Sequence, residues 1–162
     1  MGIDLGGVLM RIGYVRHPEQ CGFRPGAEDW VAMMITELGA TNTHIINMVN
    51  GSGTRLKNFL GSSGFFVRTA FLPENIHFCR HRSGVQGKGT VFIRLNLIHF
   101  VDDRSDCLAD NATRTQGSAM LFLTSTMYAN GLVDDTNSGH VHGTLAKHGI
   151  EIIQNLFEVG CQ

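Results

Sequence analysis

Apolar and polar positions along this chain follow two alternating rhythms. Short apolar runs that end in polar or glycine-rich tips recur at 1–5, at 43–49 (THIINMV), at 75–79 (NIHFC), at 97–101 (LIHFV) and at 119–124 (AMLFLT). Runs of this length, bounded by turn residues, predict strands buried on both faces. Between them the apolar positions take helical spacing. AEDWVAMMITEL (27–38), entered through the Pro-Gly of FRPG and closed by Gly39, predicts a helix. Further helices are predicted over 53–60 and 105–113, and over 86–96 (QGKGTVFIRLN) although its glycines oppose helix formation. A closing amphipathic helix is predicted over 145–157 (LAKHGIEIIQNLF), with a tail to 162. It follows a loop over 125–143 that is long for a compact domain.

Strands alternating with helices predict βαβ units, and therefore an α/β fold with a mostly parallel sheet of about five strands and helices on both faces. In such sheets ligands sit beyond the carboxyl ends of the strands. That rule singles out Asp4, residues 47–52, residues 80–82, and Asp102 with Asp103.

Composition narrows the classes. At 162 residues the chain is read as one domain over its whole length, large enough to bury a core without staples. Thirteen basic residues against fourteen acidic ones leave no signal for nucleic-acid or membrane-surface binding. No apolar run is long enough to span a bilayer. Cys21, Cys79, Cys107 and Cys161 show neither a CxxC pair nor zinc-like spacing, so reduced thiols in a cytoplasmic setting are expected. HVHG (140–143), with His148 nearby, reads as a loop or strand-edge feature rather than a metal site.

Two stretches suggest chemistry. GIDLGGVLM (2–10) places Asp4 at the end of an apolar strand before a Gly-Gly turn. FVDDRSDCL leaves another strand with Asp102, Asp103 and Asp106 inside five residues. Carboxylates crowded at a strand tip repel one another unless a cation sits among them, and magnesium is the natural occupant. One aspartate can equally cap the helix that begins near Ser105. Lys88, fourteen residues before Asp102, is either a solvated lysine or an ammonium that reaches an anionic centre.

Asp4, the polar tip NMVNGSG, Lys88 and VDDRSD, in that order over about residues 1–124, resemble the haloacid dehalogenase superfamily, and the segment GFFVRTAFLPENIHFCRHRSGVQGKG (64–89) leading to LIHFVDDR resembles its small nucleotidase-like members. The resemblance implies a Rossmann-like three-layer α/β/α sandwich and a magnesium-dependent phosphomonoester hydrolase. Asp4 would be the nucleophile that forms an aspartyl-phosphate. Mg2+ would be held by Asp4, the Gly6 carbonyl, Asp102 and Asp103, with Asp103 the direct ligand of the pair and Asp106 in support. Lys88 would neutralise the phosphoryl group. Gly6 and Gly7 would line the substrate, and the second motif would be supplied by Asn47, with Asn50 and Ser52 as alternatives. Residues 10–26 and 62–74 are too short for a cap domain, which implies an open site for a bulky or macromolecular phosphorylated substrate.

The chain departs from that pattern at Gly6, where the family carries its general acid. A glycine has no side-chain proton to give, and losing a positioned acid costs about a hundredfold or more in rate. A catalytically weak relative that binds magnesium and a phosphorylated ligand or a protein partner is the alternative expectation.

Overall fold

The computed structural model describes residues 1–10, 18, 22–49, 52–80, 84–116, 120–124, 150–153 and 156. The predicted loop over 125–143, the HVHG stretch, Asn50, Cys21 and Cys161 lie outside the described residues.

The described chain is an α/β sandwich of three layers. Its elements run β1 (Gly2–Ile3), α1 (Ala27–Leu38), β2 (His44–Val49), α2 (Thr54–Ser62), α3 (Phe65–Thr69), β3 (Ile76–Arg80), α4 (Gly84–Arg94), β4 (His99–Asp102), α5 (Ser105–Thr115), β5 (Met120–Thr124) and β6 (Ile150–Ile153). The strands form a sheet in the order β3-β2-β1-β4-β5-β6, with every neighbouring pair parallel. The sheet thus has six strands rather than about five. The additional strand is β6, which lies within the segment 145–157 that the apolar spacing assigned to a helix.

Local sequence explains the elements that frame the site. In α1 the buried residues Ala27, Trp30, Val31 and Met34 repeat at helical spacing. Glu28 and Asp29 occupy its first turn, where the helix dipole favours negative charge. Gly39 ends it, its N–H donating to the Ile35 carbonyl at 2.9 Å. β1 is only two residues long, and Gly2 belongs there because a Cβ would stand 2.8 Å from the Phe100 ring.

Two apolar clusters separate the layers. Ile3, Ile45 and Val101 face one way, against Trp30, Leu60 and Phe65 of α1, α2 and α3. Ile46 and Phe100 face the other way, against Phe92 of α4 and Leu108 of α5. Burying side chains of this size stabilises by roughly 1.5–3 kcal/mol each. The chain moves outward from β1 through β2 to β3, then crosses to β4 on the far side. The carboxyl ends of β1 and β4 therefore meet at the topological switch point, where this architecture opens a crevice. No helix among the described residues is long and apolar enough to cross a membrane.

Candidate active site

Strand register brings Asp4 and Asp102 together. Gly2 pairs with Phe100 and Ile3 with Val101, so Asp4 emerges level with Asp102, and its N–H donates to the Val101 carbonyl at 2.8 Å. Side-chain alternation turns both toward the face covered by α4. From that helix comes Lys88, 1% exposed, with Nζ 2.8 Å from Asp4 Oδ1 and donating to Asp102 Oδ2 at 2.7 Å. Asp102 Oδ1 accepts from the Arg104 N–H at 2.9 Å, so both its oxygens are engaged.

Asp103 completes the group. Carboxylate oxygens of Asp4, Asp102 and Asp103 all lie within 4.8 Å of one another, and all three residues are buried. The Asp103 carboxylate rests against Gly7, in the space a Cβ there would fill. Gly7 itself has a φ of 76°, a conformation that suits glycine. Its N–H donates to the Met10 carbonyl at 2.9 Å, and its carbonyl accepts from Arg24 Nη1 at 2.8 Å.

The electrostatics are out of balance. Burial raises the Asp4 carboxyl well above the usual range; Lys88 opposes that rise, while Asp102 and Asp103 add to it. Burial, and then the neighbouring Asp102, raise Asp103 in the same way. Burial disfavours the Lys88 ammonium, but Asp102 and Asp4 outweigh it and hold its pKa above the ordinary value. Three carboxyl groups share one ammonium, so a further cation would be needed to keep all three ionised. Asp4 Oδ1 is buried, with the Lys88 ammonium as its charge partner at 2.8 Å. A buried group of three carboxyls, with oxygens this close together, could hold a metal ion.

The other residues singled out by sequence fall in several places. Gly6 sits half-buried in the turn after Asp4, bridged to Met10. Asn47 lies inside β2 rather than at its tip, 1% exposed, with Nδ2 donating to the Met48 carbonyl at 3.3 Å. It pairs with Phe78 and alternates to the face opposite Ile46. Ser52 is exposed before α2, its hydroxyl 2.8 Å from that of Thr54. Asp106 is gripped by Arg104, which donates Nε to Oδ1 at 3.0 Å and Nη2 to Oδ2, and it accepts the Cys107 N–H. Burial works against its charge, but the Arg104 fork keeps the carboxyl below its ordinary pKa. Asp106 thus reaches the centre only through Arg104, whose backbone N–H holds Asp102. Neither Asp102 nor Asp103 accepts from the first turn of α5 as a cap; Asp102 instead closes the turn that precedes it. Cys79 and Cys107 are buried free thiols.

Arg24 carried no signal in the sequence beyond its place in FRPG, and only the fold reveals its contact with the Asp4 loop.

No protein-family model matches the chain, and no curated protein matches it significantly.

Proposed function

We propose that the protein is a magnesium-dependent phosphomonoester hydrolase of the haloacid dehalogenase type, working through an aspartyl-phosphate on Asp4. The observation that carries this reading is the convergence of Asp4, Asp102 and Asp103 around the buried ammonium of Lys88 at the sheet's switch point.

In this mechanism an Asp4 carboxylate oxygen attacks phosphorus as the bond to the leaving oxygen breaks. The leaving oxygen keeps that electron pair and takes a proton from water, since Gly6 offers none. Water then attacks the aspartyl-phosphate, which releases inorganic phosphate and restores the carboxylate. Lys88 holds its proton throughout and offsets charge on Asp4 and the transferring group. Asp4, Asp103 and the Gly6 carbonyl would hold Mg2+, which supplies further neutralisation of the phosphoryl oxygens. Asp102, engaged by Lys88 and the Arg104 N–H, fixes the ammonium in place.

The experiment is a panel of aryl and alkyl phosphomonoesters assayed with and without Mg2+, on the parent and on Asp4→Asn. Magnesium-dependent turnover abolished by Asp4→Asn is expected, with aryl phosphates preferred because their leaving groups need little proton assistance. Turnover that survives Asp4→Asn would exclude Asp4 as nucleophile. Gly6 favours a second reading, a domain that binds magnesium and a phosphorylated ligand or partner without turnover. Retained Mg2+ binding with no hydrolysis of any phosphomonoester selects it.

A further inference from the structure

We infer that Arg24 is a positioning residue for the carboxylate centre, clamping the Gly7 peptide so that Asp103 is held toward Asp4. This rests on the cation-binding reading of the site.

Six contacts carry the inference. Phe23 stacks on Phe59 of α2 and Phe65 of α3, with ring centroids at 6.0 and 5.2 Å, so the backbone before Arg24 is tied to the helical layer. The Arg24 N–H donates to the Leu9 carbonyl at 2.8 Å, and Phe23 bridges Met10, which fixes the segment against the Asp4 loop. The Arg24 guanidinium then reaches back to the Gly7 carbonyl at 2.8 Å. Gly7 in turn is the surface on which the Asp103 carboxylate rests.

A glycine with positive φ exchanges conformations more easily than any other residue, so its peptide needs an external hold. The Gly7 N–H is held by Met10 and its carbonyl by Arg24. Loss of the guanidinium removes one hold on the peptide that follows Gly7, and the Asp103 carboxylate loses part of the support that aims it. Residues that orient metal ligands typically carry about 10–100-fold of metal affinity.

The sign of the effect separates positioning from charge. Arg24 is a cation close to a cation site, so an effect of charge alone would make Mg2+ bind more tightly when it is removed. Positioning makes Mg2+ bind more weakly.

The test compares the parent, Arg24→Met and Arg24→Lys by calorimetric titration with Mg2+ and by amide hydrogen exchange of residues 5–10. Arg24→Met should bind Mg2+ about tenfold or more weakly and exchange faster at residues 5–10. Arg24→Lys should fall between. Unchanged or tighter Mg2+ binding by folded Arg24→Met overturns the inference while leaving the proposed function standing. If Arg24→Met does not fold, Arg24→Lys decides: binding and exchange equal to the parent overturn the inference. Failure of the parent itself to bind Mg2+ overturns the proposed function, and the inference with it.

Discussion

Replacing Lys88 by methionine removes the ammonium while keeping most of the side-chain volume. Each of its two carboxylate contacts, at 2.8 and 2.7 Å, carries about 6 kcal/mol of gross Coulomb attraction at an effective dielectric near 20. Desolvation offsets most of that attraction, because the same buried surroundings penalise every charge. What remains is the cost of leaving carboxylates buried without their cation, about 3–5 kcal/mol for a broken buried pair. That is a large share of a domain stability of about 5–15 kcal/mol. The variant has one escape, which is to keep protons on the carboxyls. Burial already raises the Asp4 pKa against the opposing pull of Lys88, and removing that pull raises it further. The destabilisation should therefore be greatest at mildly alkaline pH and shrink as the solution becomes acidic. Urea unfolding of metal-free parent and variant at about pH 5 and pH 8, either side of neutrality, measures both effects. Adding Asp102→Asn to Lys88→Met should recover part of the loss, since one of the stranded charges goes with it. A loss below about 1 kcal/mol at the higher pH, the range of an exposed pair, refutes the reasoning. So does a loss that does not change with pH.

Three further outcomes are expected. Gly7→Ala forces a Cβ into the Asp103 carboxylate at a positive φ; it should cost about 1–2 kcal/mol in unfolding experiments and weaken Mg2+ binding about tenfold or more in calorimetric titration. Because the Asp4 and Asp103 pKa values are raised by folding, the folded protein holds protons that the unfolded chain releases. In chelator their contribution to stability should fall as pH rises from about 4, the ordinary carboxyl range, past neutrality, and the thermal stabilisation by Mg2+ should grow over the same interval; a Mg2+ gain independent of pH would count against the site. Burial, and then His77, lower His44 to about 4, and burial also lowers His77. This pair, with ring nitrogens 3.2 Å apart, contributes stability above the unfolded imidazole pKa that is lost as pH falls toward about 4. NMR titration of both imidazoles checks it, and an ordinary histidine midpoint for His44 would contradict it.

Most strands and helices up to β5 were legible in the sequence because periodicity and turn residues agreed there; the five-residue helix α3 was not, being too short to show a helical period. Residues 150–153 were not. In LAKHGIEIIQNLF the apolar positions fit a helical face, yet IEII also offers isoleucines that suit a strand, and pairing with β5 prevails over the local pattern. The site was half legible. Asp4, Asp102 and Asp103 stand out as carboxylates at strand tips, and parallel register alone brings the first two level. Lys88 was ambiguous because a lysine among glycines, as in QGKG, is commonly a solvated surface residue. The structure buries it in α4, and Gly89 beside it leaves room for Asp110 and Arg114 of α5, where a Cβ would collide. Asn47 shows the opposite failure: a residue counted toward a strand tip lies inside the strand, because β2 continues to Val49.

The position of β1 in the sheet governs how the site comes together. This two-residue strand is the central joint of the sheet, with β2 and β3 on one side and β4, β5 and β6 on the other. Its partners, His44 and Phe100, lie far along the chain, so each half can pair within itself before β1 closes the gap. Asp4 follows directly on that joint, and Asp102 and Lys88 wait on other elements. Closing the sheet and gathering the charges are thus one event. The Lys88 ammonium, touching Asp4 just beyond β1 and Asp102 at the end of β4, ties the two halves together across that joint.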